Sequence, residues 1–412
     1  MSVNSSTSSS ETFARHLRRL LAGIALLALA IAGLNLAVDP YRVFGTPDVA
    51  GFNALKPDFV ESLRMTVPYA IERHRPAALI LGTSRAGRGY SPQHPAFVGL
   101  DTYNAALPAV SLYEMMRILQ HAQATRPLKR VVLGLDNRVF YADRDGNGAF
   151  SEARLRVDAQ GRPQRRLFTA TLPDYAASLL SIDALLASVR AVRFQGWTRL
   201  TLDDDGEWRS VGDAFDSRAG FRAMTLNTFD RYRRYGAEPF RLEQAVAPLR
   251  EILRLCHRAG IDLRMIVPPS HAWHVEAMRH AGMIERYDEI RRAIVATNEA
   301  VAREFGQPPF PVWDYSGYRG HNVEAAPLTK GARPAWFWET VHFKPALGAA
   351  VLDEVFAPAE APPPVLGVQI DGANIEAHLA AWHAAREIWA AAHPDEVAAV
   401  DELYRQWRAR AP

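Results

Sequence analysis

Ser84 closes an apolar run, Ala77-Ala78-Leu79-Ile80-Leu81, through the small-residue turn Gly82-Thr83. A buried parallel strand that ends in such a turn delivers a hydroxyl to the rim of a sheet. Far downstream, Trp338-Glu339-Thr340-Val341-His342-Phe343 places an acid three residues before a histidine. Serine at its free pKa is a poor nucleophile and becomes useful when a neutral imidazole takes its proton. In that scheme His342 accepts the proton and returns it to the leaving group, while Glu339 fixes the ring tautomer and stabilises the imidazolium. The competing role for Ser84 is a helix cap, which serine fills often. The downstream acid and histidine tip the reading toward a nucleophile.

These residues need a scaffold, and the apolar pattern supplies one. Strand-length apolar runs at 77–81, near Thr102 and Tyr103, and at 130–135, 261–267 and 310–314 alternate with helix-period segments at 110–124, 242–259, 286–305 and 345–356. Gly260 ends the helix before the fourth strand, and Pro268-Pro269 ends that strand. Strand–helix alternation predicts a three-layer α/β/α, flavodoxin-like parallel sheet, which binds ligands at the carboxyl ends of its strands. Polar residues follow each strand: Ser84, Asn104, Asp136 with Asn137, His271 and Asp314. Five strands delivering polar groups to one edge predict a single cleft.

The roles of several of these residues stay open at this level. His271, in Pro268-Pro269-Ser270-His271, either lines the cleft or satisfies a loop backbone. Asp314 is an orienting partner or an alternative acid for the histidine, or a turn aspartate. Arg85 either meets a sugar carboxylate or pairs with a surface acid.

Between about residues 140 and 236 the alternation is lost; the segment mixes charged turns with an apolar helix-like stretch from Tyr175 to Val192 and reads as an insertion folded over the rim, where substrate selection is expected. Within it, 143–148 begins like a calcium loop, but position twelve is Arg154 instead of a bidentate glutamate, so a metal-free turn is favoured. No metal and no cofactor is expected. Residues 357–373 read as a Pro-rich linker and 374–412 as two alanine-rich helices, broken at Pro394, that pack back on the 39–356 domain.

The N-terminal end says where the chemistry happens. Residues 20–38 carry no charge and match the ~20 residues needed to span a membrane. Arg15, Arg18 and Arg19 precede them and Asp39 follows, so residues 1–19 are expected to be cytoplasmic and the rest extracytoplasmic, on a single-pass inner-membrane anchor. A cleaved signal peptide is the alternative; the apolar stretch is long for one and lacks a clean cleavage site. Residues 1–14 read as a disordered tail. A net charge of +3 without a lysine block disfavours nucleic acid, and the single cysteine, Cys256, excludes an internal disulfide.

Gly82-Thr83-Ser84-Arg85, Tyr103-Asn104-Ala105-Ala106, Val132-Leu133-Gly134-Leu135-Asp136 and Glu339-Thr340-Val341-His342-Phe343 resemble the spaced blocks of SGNH (GDSL-like) hydrolases. The narrower similarity is to membrane-anchored bacterial relatives of alginate O-acetylation and teichoic acid D-alanylation proteins, over roughly residues 17–136 and 261–356. The resemblance implies Ser84 as nucleophile, His342 as base and Glu339 as the orienting acid, where that family more often has aspartate. Ala106 stands where its glycine is usual and Asp136 where its asparagine is, with Asn137 displaced by one. An ionised Asp136 would repel a developing oxyanion, so the hole would then rest on backbone N–H groups near Ser84 and Ala106 and on the Asn104 amide.

The function the resemblance implies is an extracytoplasmic O-acyltransferase or acylesterase acting on a cell-envelope or exported polysaccharide through an acyl-Ser84 intermediate, beside a membrane protein that supplies the acyl group. The alternative is an inactive member of the same fold that binds glycan or scaffolds a modification complex. A general lipase or peptidase is disfavoured, because the nucleophile lacks the Gly-x-Ser-x-Gly elbow.

Overall fold

The computed structural model describes residues 7–141, 149–166, 168–197, 199–212, 215–329, 331–358 and 360–410. The 143–148 run that begins like a calcium loop lies outside the described residues; Arg154 pairs with Asp174. The chain opens with α1 (Thr7–Val38), long and apolar enough to cross a membrane, then α2 (Phe59–His74). The helix starts at Thr7, well inside the segment expected to be a disordered tail. Once an apolar helix is nucleated, each further residue costs little to add.

The alternating strands and helices follow in β1 (Ala78–Leu81), α3 (Ser84–Gly89), β2 (Thr102–Asn104), α4 (Leu112–Thr125) and β3 (Arg130–Gly134). The insertion holds α5 (Phe168–Leu180), α6 (Ile182–Arg193), a hairpin of β4 (Leu200–Leu202) and β5 (Trp208–Ser210), and α7 (Ser217–Ala237). The sheet resumes with α8 (Leu242–Ala259), β6 (Asp262–Val267), α9 (Ala272–His280), α10 (Ile284–Phe305), β7 (Val312–Asp314) and α11 (Pro345–Val355). β8 (Val368–Ile370), α12 (Ile375–Ala392) and α13 (Pro394–Arg408) finish the chain.

Six strands form the central sheet in the order β2-β1-β3-β6-β7-β8, the first five parallel and β8 antiparallel to β7. Counted among themselves, the parallel strands run 2-1-3-4-5, the doubly wound order whose switch point lies between β1 and β3. Ser84 leaves β1 and Asp136 leaves β3, so both stand at that switch point. The pleat divides the strand residues between two cores. Leu79, Leu81, Val131, Leu133, Leu263 and Met265 meet α4, α8 and α10, whereas Ala78, Ile80, Val132 and Ile266 face α3 and α11.

Two findings depart from the sequence reading. β8 lies inside the stretch read as linker, where three residues of an edge strand leave too little pattern to see. The insertion does more than cover the rim: the β4–β5 turn shields the exposed edge of the sheet, Asp205 accepting the Asn104 backbone N–H at 2.8 Å. The C-terminal helices pack back on the domain, α12 on α10 and α13 on α7 and α9.

Asp314 anchors that return. It is fully buried, accepts from the Ser316 N–H at 2.8 Å and pairs with Arg291 (3.1 Å) and with His378 of α12 (2.9 Å). Its histidine partner is His378, whereas His342 is bonded by Glu339. Burial alone would raise its carboxyl; the His378 hydrogen bond and the Arg291 charge outweigh that and hold it well below the usual carboxylate range. A depressed folded-state pKa stabilises above the unfolded value and is lost as pH falls through the folded one. Asp314→Asn is therefore expected to cost about 3 kcal/mol at neutral pH in urea unfolding, by uncoupling a buried pair. The gap to wild type should shrink below about pH 4; an equal or larger gap in acid would contradict this role.

Candidate functional site

Three local structures bring the serine, histidine and glutamate together. Thr83 caps α3, its Oγ1 accepting the Arg85 N–H at 3.2 Å, so Ser84 takes the first helical position at the mouth of the sheet. The acid and histidine sit in a tight loop closed by an isolated bridge between Phe337 and Phe343 and by a Trp338 N–H bond to the His342 carbonyl at 2.9 Å. Both phenylalanines are fully buried and root the loop in the core. Upstream, the Glu324 carboxylate accepts the N–H groups of Ala335, Trp336 and Phe337, which fixes how the loop enters.

The third structure is the contact between them. α3 lies on the start of α11 so closely that a Cβ on Gly348 would collide with the backbone carbonyl of Gly89, and a Cβ on Gly89 would enter the Phe343 ring. The Tyr90 ring covers Phe343 at 5.4 Å. Glycine at both positions is what lets two segments 258 residues apart share a proton: Ser84 Oγ lies 2.8 Å from His342 Nε2. His342 Nδ1 bonds Glu339 Oε1, so Nδ1 carries the hydrogen and Nε2 is free to accept from the serine.

Glu339 is itself held. Its Oε2 accepts the Val341 N–H at 2.8 Å and its Oε1 the His342 N–H at 3.0 Å. Burial works to raise this carboxyl, but the His342 charge and hydrogen bond, with the Val341 N–H, keep it below its ordinary range and ionised. The arrangement is chemically able to deprotonate an alcohol and to stabilise the imidazolium that results.

The other candidate residues divide. Asp136 and Arg85 form a buried pair at 2.6 Å, with Thr83 Oγ1 donating to the second Asp136 oxygen at 2.5 Å. Arg85 also donates to the Pro269 carbonyl and to Ser270 Oγ at 2.8 Å. Arg85 thus pairs with a buried acid instead of a surface one, and it ties β1, β3 and the loop after β6 into one rim. The Asp136 charge, expected to repel a developing oxyanion, is neutralised where it stands.

Asn104 corrects the expected oxyanion hole. Its Nδ2 donates to the Ala86 (3.0 Å) and Tyr90 (2.8 Å) carbonyls, and its Oδ1 accepts the Ala106 N–H at 3.1 Å. Two of the three expected donors, the Asn104 amide and the Ala106 N–H, are thus bonded internally, and the one near Ser84 is left. Asn137 is buried beside Tyr141 and Tyr232. His271 caps α9, accepting the Trp273 N–H at Nδ1 (3.2 Å) and bonding the Glu324 carbonyl through Nε2 (2.9 Å), so it satisfies loop backbone. Burial lowers its pKa to about 4, which keeps it neutral.

The cleft has residues that the sequence did not single out. Beside Ser84 and His342 it is lined by Arg138, His274, Met224, Arg231, Tyr232 and Val341. Arg231, from α7, bonds Asn227 at 2.6 Å, and burial followed by the like charge of Arg138 lowers its pKa. With Asp136 spent on Arg85, these two guanidinium groups leave the cleft positive. Burial, then nearby arginines, hold His274 neutral. Arg138 stands two residues past Asp136 and was within reach of the strand-end rule; nothing in the insertion marked Arg231. Ser84 N–H, in the first helical turn, has no intrahelical acceptor and is the backbone donor nearest the nucleophile.

Comparison with protein-family models and with curated proteins finds no match. Among the described residues, no group of three or more His, Cys, Asp or Glu is placed to hold a metal.

If the glycine contact sets the Ser84–His342 distance, Gly348→Ala should slow labelling of Ser84 by a fluorophosphonate at least tenfold and cost about 1–3 kcal/mol of stability. Gly196→Ala, whose Cβ would meet nothing within 4 Å, is the control and should change neither. Wild-type labelling in Gly348→Ala would show that the contact does not position the pair.

Proposed function

We propose that the chain is an extracytoplasmic serine O-acyltransferase or acylesterase of SGNH-like type, acting on a cell-envelope or exported polysaccharide. The observation that carries this reading is the continuous Ser84–His342–Glu339 hydrogen-bond relay at the switch point of a parallel sheet. The spaced sequence blocks around Ser84, Asn104, Asp136 and His342 support it. The apolar α1 with arginines on its N-terminal side supports an extracytoplasmic domain.

In the proposed reaction, Ser84 Oγ bonds to the acyl carbon of the donor as its proton passes to His342 Nε2. Collapse of the tetrahedral intermediate breaks the bond to the donor's leaving oxygen, which takes that proton. A sugar hydroxyl, or water, then gives its proton to His342 and attacks the acyl-Ser84 ester; Ser84 recovers the proton as it leaves. The Ser84 N–H, with the positive field of Arg138 and Arg231, is the means of stabilising the oxyanion. A membrane protein that delivers the acyl group fits an anchored domain of this kind.

One observation favours the alternative, an inactive glycan-binding or scaffolding protein: Asn104 and Ala106, two of the three expected oxyanion donors, are bonded internally. The two readings separate experimentally. With full-length protein in detergent, release of acetate from p-nitrophenyl acetate should be abolished by Ser84→Ala and His342→Ala, and reduced by about 10²–10⁴-fold in Glu339→Gln. Hydrolysis untouched by Ser84→Ala would remove the site, and oligosaccharide binding without turnover would establish the scaffold. For the positive cleft, Arg231→Gln should raise KM for a carboxylate-bearing acyl acceptor about tenfold or more while leaving a neutral acceptor unchanged; equal effects on both would refute charge recognition.

A further inference from the structure

Three helices at the membrane end of the molecule are turned inside out. In α6 the inward residues are Ala184, Ala187, Ser188 and Ala191, while Ile182, Leu186 and Val189 form an exposed stripe, Ile182 at 75%, flanked by exposed Asp183 and by Arg190, which pairs with Asp58 at 2.7 Å. In α5 the buried members are Thr171 and Ser178, and Phe168, Leu172 and Leu180 face out. α1 repeats the pattern: Asn35 is fully buried, whereas Leu26, Leu27, Leu29 and Leu36 are bare. A helix on a water-facing surface buries its large apolar side chains. Small and polar residues inside with leucines outside is how helices associate in lipid.

The polar contacts join the three helices. Asn35 Nδ2 donates to the Leu179 carbonyl of α5 at 2.9 Å, and Ser188 Oγ of α6 donates to Asn35 Oδ1 at 2.7 Å. An amide on an apolar spanning helix is costly when unpaired, and α5 with α6 satisfies both of its ends. The two helices meet at a 51° bend, and together they are long and apolar enough for a broken span or a re-entrant element. On α1, Ala28, Ile31, Ala32, Asn35 and Val38 form the less exposed stripe. That stripe covers ~15 Å, about half of a ~30 Å hydrocarbon core. Beyond α6, Trp197 is 80% exposed and follows Arg190 and Arg193, the residue types of a membrane interface.

We propose that α5 and α6 form a second membrane-embedded element, lying against α1 in the half of the bilayer nearest Val38, with Leu172, Leu180, Ile182, Leu186 and Val189 on lipid acyl chains. The exposed apolar face is continuous with that of the anchor helix it packs on, which is why lipid is its occupant. The domain is then fixed to the bilayer at two places, which sets the height and tilt of the cleft. This inference rests on α1 being a membrane helix and is independent of the acyl-transfer reading.

The test uses full-length protein in phosphatidylcholine vesicles, with single cysteines introduced as Leu186→Cys, Leu27→Cys and Val98→Cys and labelled with an environment-sensitive fluorophore. The native Cys256 is buried in α8. Val98, 83% exposed, reports the water-facing domain. Lipid-attached spin labels should quench the labels at 186 and 27 several-fold more than that at 98, and aqueous iodide should do the reverse. Lipid quenching at 27 with iodide quenching at 186 would overturn the inference and leave the anchor standing. Iodide quenching at both 27 and 186 would overturn both. A label at 186 shielded from iodide and lipid alike would show protein on that face, and also overturns the inference.

Discussion

The close backbone approach of α3 to α11 is the constraint on which the candidate site depends. Neither Gly89 nor Gly348 touches the reacting groups, yet each holds a place that a single methyl would fill. Because β1 leads into α3 and the Phe337–Phe343 loop leads into α11, packing these helices sets where serine and histidine meet. The sheet provides stiffness, and the glycines convert it into a 2.8 Å contact. Interiors packed to crystal density transmit such displacements instead of absorbing them.

Charge is organised around the same point. Asp136 and Arg85, one from each side of the switch point, neutralise each other in the interior and link three loops. Breaking such a pair from either side is costly, since it leaves a buried charge alone. With that pair closed, Glu339 serves His342, and Arg138 and Arg231 line the cleft beside the neutralised pair. The insertion contributes Arg231 through α7 and, through α5 and α6, packs on α1. Cleft and membrane end are thus joined by one inserted segment.

Much of this was legible in the residues. Buried parallel strands are largely apolar runs, so β1 and β3 announced themselves; β6, which carries Asp262 and Arg264, was marked by Gly260 before it and Pro268-Pro269 after it, and α8 stood out by its spacing and by Gly260 in the left-handed region at its end. Ser84, Glu339 and His342 were readable because their side-chain types are demanded by one chemistry. Asn104 was misread because an amide can donate as well inward as outward, and its type does not say which. Asp136 looked repulsive because its neutralising partner, Arg85, belongs to a different strand end. α5 and α6 showed an apolar run, but their outward leucines and inward serines are visible only once Asn35 is seen between them.

The central claim is that Ser84 becomes covalently acylated with His342 as its base. Full-length protein mixed briefly with p-nitrophenyl acetate, quenched in acid and digested would be examined by peptide mass. The account predicts one added acetyl group on the peptide holding Ser84, absent in Ser84→Ala and slow to form in His342→Ala. An unmodified Ser84 in protein that still turns over the ester, or an acetyl group found on another residue, would contradict it.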